Sequence, residues 1–131
     1  MNRTWVYTKL VANTSLAALV STRIWGSTTI KKVPEEKPFI LYRSTGITDT
    51  VRGDDGVACR TETFMIFAED KPGDYLQIDT MIGYIDATFN KVKDETAGVI
   101  RSTIVETSED FRDEDLGTIL RFVRIAVVYR V

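Results

Sequence analysis

The sequence predicts an α+β protein: a mostly antiparallel β-sheet with an N-terminal helix and one long helix, about residues 75–92, packed on one face. Three observations carry this. An apolar stripe at helical spacing runs through residues 75–92. Four segments rich in β-branched and aromatic residues read as strands. These strands fall into two pairs, one before and one after the long helix. Strands that follow one another in the chain pair antiparallel by default, which leaves the helices to cover one face of the sheet.

Residues 2–12 read as a helix with Trp5, Val6 and Leu10 near one face, and Asn13 is placed to end it. Thr14 is the expected cap of a second short turn that buries Leu16, Leu19 and Val20. Residues 23–25, "RIW", look extended. Residues 26–38, "GSTTIKKVPEEKP", form a connection with Pro34 and Pro38, because proline has no N–H to donate to a ladder. "FILYRS", residues 39–44, is a strand, and residues 45–57 read as a long polar loop with three glycines. Residues 58–69 form a long strand whose second half is continuously apolar, as in a strand covered on both faces.

The long helix begins after "DKPGD", with Asp74 at the cap position and Gln77 three residues on, a capping-box pattern. Tyr75, Ile78, Ile82, Ile85, Phe89 and Val92 recur at spacings of 3, 4, 3, 4 and 3. That makes one apolar stripe ~27 Å long, too short for a coiled-coil seam and suited to a core. Residues 97–108 and 117–131 are two further strands, joined by the acidic stretch "SEDFRDEDL".

Composition narrows the function. The 131 residues suit one domain, 1–131, and 44% hydrophobic with 27% charged residues supports a packed core rather than disorder. A net charge of −2 argues against a protein that grips nucleic acid through its phosphates. With no histidine, the commonest general base and the commonest metal ligand are both missing. Cys59 is the single cysteine, reads as a small buried residue, and excludes an intramolecular disulfide, which points to a cytoplasmic folding compartment. The N-terminus alternates polar and apolar residues, unlike a signal peptide, and no stretch reaches the roughly 20 apolar residues of a membrane span. The serines and threonines have no base to activate them, and there is no phosphate-binding glycine loop. No enzyme activity, cofactor or resident metal is expected.

The acidic stretch is the sharpest local feature. Glu109, Asp110, Asp113, Glu114 and Asp115 place five acids in nine residues. An EF-hand needs alternating ligands, then a glycine and a distal glutamate; Leu116 holds the glycine position and no glutamate follows. A carboxylate-bound magnesium is the metal site the composition still permits. Two readings stay open: a solvated hairpin loop that blocks edge pairing, or a docking surface for a basic partner. Thr48, Asp49, Arg52, Asp54 and Asp55 in the other long charged connection are the second set of candidate partner or lumen contacts. "RGDDG", residues 52–56, is a turn by its bracketing glycines. Lys31 and Lys32 are offset by Glu35 and Glu36, so they form no basic patch.

The last strand carries apolar residues on both faces. Ile119, Val123, Ile125, Val127 and Tyr129 share one; Leu120, Phe122, Ala126 and Val128 share the other. Helices cover one face, and little chain remains for a second layer. Neighbouring copies are therefore expected to bury it, as in a closed ring, with Phe122, Arg124 and Val128 at the subunit–subunit contact.

From "LAALVSTRIW" through "EKPFILYR" and "PGDYLQIDTMIGYIDATFNKV" to "ETSEDFRDEDLGTILRFVRIAVVYR", the chain resembles the tail terminator (tail completion) proteins of long-tailed siphophages, most of all those of phages of actinobacteria. The resemblance rests on the order of elements as much as on these segments. It implies a hexameric ring that sits on the last ring of the major tail protein and stops tube growth. The other face of the ring meets the head-completion (stopper) protein, the tape measure protein is a further contact, and DNA passes through the lumen without sequence-specific binding. It places the protein at the tail–neck junction of the virion, assembled in the host cytoplasm. The alternatives are another neck component, such as a head–tail stopper or adaptor, and a small-molecule-binding or catalytic α+β domain, which would need a deep pocket with convergent polar groups.

Overall fold

A computed structural model of the chain describes residues 2–26, 36–54 and 56–131. In chain order the elements are α1 (Arg3–Ala12), α2 (Thr14–Val20), β1 (Ile24–Gly26), β2 (Phe39–Gly53), β3 (Gly56–Asp70), α3 (Tyr75–Phe89), β4 (Val92–Asp94), β5 (Val99–Thr107), β6 (Phe111–Asp113) and β7 (Thr118–Arg130). The strands form one sheet in the order β1-β2-β3-β7-β5-β4, with β6 also paired to β7. β1 runs parallel to β2 and every other pair is antiparallel, so the α+β class holds with a mixed sheet.

Two periodicities meet in the core. Period-two alternation sends Ile40, Tyr42, Phe64, Ile66, Val123, Ile125 and Val127 to one face of the sheet. Helical spacing turns Val6 and Leu10 of α1, Leu16 of α2, and Ile78, Ile82, Ile85 and Phe89 of α3 onto that face. Trp5 meets Phe89 edge-on at 5.8 Å, and its Nε1 donates to Asp94 Oδ2 at 3.0 Å, tying α1 to β4.

The helix ends differ from expectation for identifiable reasons. Asn13, not Thr14, caps α2: its Oδ1 accepts from the Leu16 amide at 3.0 Å while its Nδ2 donates to Thr88 Oγ1 of α3 at 2.7 Å. α3 stops at Phe89 instead of Val92. Asn90 leaves the helix in extended conformation, its Oδ1 accepts from the Ile104 amide at 3.3 Å, and Lys91 turns the chain at φ 56°. Val92 is then free to begin β4 against β5. The capping box is not formed, since the Asp74 side chain makes no cap bond and lies 3.6 Å from Lys71 Nζ instead.

The largest correction concerns residues 45–57. They are not a loop: β2 runs on to Gly53 and β3 starts at Gly56, in register from Phe39↔Glu69 to Gly53↔Gly56. The stretch is polar because both faces of this ribbon are exposed, not because it lacks a ladder. Hydroxyl pairs link Thr45 to Thr63 and Thr50 to Thr61 across the strands. The connection expected at residues 26–38, with Lys31, Lys32 and Glu35, lies largely outside the described residues, as does Asp55. Glu36 is described, and it pairs with Arg23 at 3.1 Å. Cys59 is half-buried and free rather than buried.

Candidate functional site on the open sheet face

The alternation that fills the core also sends an apolar set to the opposite face, where no helix lies among the described residues. Phe67 and Phe122 meet there at 5.7 Å, and Phe122 stacks on Phe111 at 6.1 Å with planes 9° apart. Trp25 packs on Phe39 at 5.9 Å further along the same face. Two arginines share it. Arg43 sits over the Phe67 ring at 5.7 Å and donates to Met65 Sδ at 3.6 Å, and Arg124 reaches the same sulfur at 3.9 Å. The Arg124 Nε is buried without a hydrogen-bond partner and stands 3.9 Å from Glu106 Oε1, too far for a bond.

At one end of this face is a groove of about 590 Å³, walled by Phe67, Phe111, Leu120 and Phe122 and rimmed by residues 112–115. An adjoining cleft of about 260 Å³ runs past Leu41, Arg43 and Asp113 to Glu69. Glu69 is 1% exposed, and its Oε1 accepts from Thr118 Oγ1 at 2.7 Å. Burial raises its pKa to about 7; the Thr118 bond opposes the rise, and the neighbouring Asp113 charge adds to it.

The acidic stretch is more ordered than a bare loop. Ser108 Oγ accepts from the Phe122 amide at 2.8 Å where the β5 ladder ends, and Phe111–Asp113 then pairs with β7 as β6. Asp113 Oδ1 accepts from the Leu116 amide at 3.1 Å, and Gly117 takes φ 64° to return the chain. The five acids therefore separate. Asp110 is 3.8 Å from Arg121, which also binds Asp79 of α3 at 2.7 Å on the helix side. Asp113, Glu114 and Asp115 line the groove on the other side. Glu109 is exposed at the base of the hairpin.

The second candidate set lies elsewhere. Thr48 is opposite Thr61 on the exposed ribbon, and Asp49 is held between Arg52 at 2.6 Å and Arg60 at 3.0 Å. Asp54 is in the turn. This turn sits at the start of β3, whereas the acidic hairpin tip stands beside its end, where Asp70 pairs with Ile119. The 15 residues of β3 separate the two tips by about 50 Å. Phe122, Arg124 and Val128 do share the open face, all half-buried.

Sequence reasoning missed Phe67, Phe111, Arg43 and Glu69. Strand parity was the available signal for Phe67 and Glu69, since residues 65, 67 and 69 must share a face. Among the described residues, no group of three or more His, Cys, Asp or Glu side chains is placed to hold a metal ion.

No family model matches the chain, and no curated protein matches it. Among solved structures, it is similar to a chain in the virion of a native gene transfer agent (GTA) particle. The similarity covers 96% of this chain and 92% of that one, with a TM-score of 0.77 and 14% sequence identity. The two chains share a fold from end to end.

Proposed function

We propose that the protein is a structural component of a phage-like virion and acts there as the tail terminator. Six copies form a ring at the tail–neck junction, cap the tail tube and stop polymerisation of the major tail protein. The ring then joins the tail to the head-completion protein, with the tape measure protein as a further contact and DNA passing through the lumen. The observation that carries this reading is the whole-chain likeness to a component of a gene transfer agent virion. The open apolar face supports assembly with neighbours, and the two charged tips at opposite ends of the sheet supply contacts for two axial partners. The role calls for no catalysis, cofactor or specific nucleic-acid binding. Acids suit a lumen wall as well, because they repel phosphate and let the genome slide.

The test is charge reversal at the hairpin tip. Asp113→Lys combined with Asp115→Lys is expected to leave the subunit folded by circular dichroism and to block head–tail joining, seen as free heads and tails by electron microscopy. Full yields of joined, DNA-ejecting particles would contradict the docking role and return the tip to a solvated turn.

A further inference from the structure

The groove has a counterpart on the same chain. Leu76 is 84% exposed, more than any other large hydrophobic residue among those described, and Tyr75 beside it is 39% exposed. Both lie in the first turn of α3; Leu76 is off the core-facing stripe, and Tyr75, expected to head that stripe, is exposed because the buried part of the stripe begins at Ile78. A leucine held rigidly in water at a helix start is a knob without a socket. The turn before it carries Lys71, whose side chain is 69% exposed. An apolar knob beside a cation is chemically complementary to an apolar groove rimmed by Asp113, Glu114 and Asp115, and Lys71, 3.6 Å from Asp74 in the single subunit, can turn to face those acids as well.

Their placement matters as much as their chemistry. The 71–73 turn stands next to the subunit's own hairpin tip, where Pro72 shares a cleft with Asp113 and Gly117. Knob and groove are thus at one level along the strands. They belong to opposite layers, the knob to the helices and the groove to the open sheet face. A self-complementary twofold patch would put both on one surface. This arrangement is heterologous, front to back, and equal height along the strand direction lets the repeat close into a ring instead of climbing into a helix.

Building on the ring reading above, we propose that the groove takes a second copy of this chain: Leu76 and Tyr75 of one subunit seat against Phe67, Phe111 and Phe122 of the next, with Lys71 facing Glu114 and Asp115. Strands then run roughly along the ring axis, and the two charged tips fall on its two axial rims.

The full-length protein with Cys59→Ser provides a background for cross-linking. Leu76→Cys and Phe111→Cys, each alone, are expected to stay uncross-linked under mild oxidation. Mixed, they give a disulfide-linked dimer, and the double variant gives a ladder ending at the ring. In parallel, Leu76→Asp, a surface change that leaves the fold intact, weakens subunit association at least about tenfold by sedimentation, the scale expected for a central interface anchor. Wild-type rings with an unaltered Leu76→Asp mass and no mixed cross-link would overturn this contact while leaving the ring reading standing. A groove that instead binds a basic peptide of another protein, with ring mass independent of Leu76, overturns it too. Wild-type protein that is monomeric at every concentration, alone and in particles, overturns both.

Discussion

The two faces of β7 make an informative contrast. Val123, Ile125 and Val127 are fully buried beneath the helices, while Phe122, Ala126 and Val128, alternating with them on the same strand, are only half-buried. The residue types hardly differ; what covers them does. The inward face is mostly hydrocarbon, interrupted by the buried Ser102 and by Glu62, whose carboxylate accepts from the Asn2 amide and the Ser44 hydroxyl. The outward face carries Arg43 and Arg124 across its apolar side chains, with Glu69 buried at its end. One face holds the fold together; on the other, the described residues leave the side chains only half-covered.

The largest effect expected from this contrast is on the helix side. Ile85 is fully buried, so Ile85→Asp would place an unpaired charge in the core and cost several kcal/mol, on the order of the whole stability of a domain. Chemical denaturation should find that variant largely unfolded; a near-normal midpoint would show that α3 does not cover the sheet as described.

Next in size is the same kind of change on the open face. Phe122→Arg removes a ring that stacks on Phe111 and packs at a tilt against Phe67, and puts a charge into the groove. The subunit should remain folded by circular dichroism, with a loss of about 1–3 kcal/mol, and should sediment as a monomer. If instead it unfolds as completely as Ile85→Asp, the two faces are equivalent parts of one core and the contrast fails.

The smallest effect concerns Glu69. Its pKa is 4.5 when unfolded and about 7 when folded, so between these values the native state holds the extra proton. Stability from this group is therefore full below about pH 4.5, falls as pH rises, and is lost above about pH 7. Burial pushes Asp70 up as well, so the total slope has a second source. Glu69→Gln should flatten the fall in urea midpoint between pH 5 and 7 without abolishing it, and an unchanged slope would remove Glu69 from the account.

Much of the fold was legible because its main signals are local. The stripe from Ile78 to Phe89 and the two-faced pattern of residues 119–128 are periodicities that any sequence window exposes. The misreadings arose where a distant partner decides. Val92 continues the helical spacing, but β5 claims it as a strand. Residues 45–53 look like loop by their polarity, yet the threonine pairs that hold the ribbon depend on a register no local window contains. The acids at residues 113–115 stood out at once. Phe67, the groove wall they stand beside, comes from β3, more than forty residues earlier, and only strand pairing brings the two together.

The central claim is that this chain forms the terminating ring of a tail, and its position in an intact particle tests that most directly. Single-particle reconstruction of the neck is predicted to show six copies in one ring on the head-proximal end of the tail tube. The open sheet face of each copy should be covered by its neighbour, and the tips at residues 53–56 and 113–117 should lie on opposite rims. Density placing the chain in the stopper or adaptor layer, or along the tube as a repeating subunit, would contradict the terminator assignment. An uncovered sheet face would contradict the ring contact.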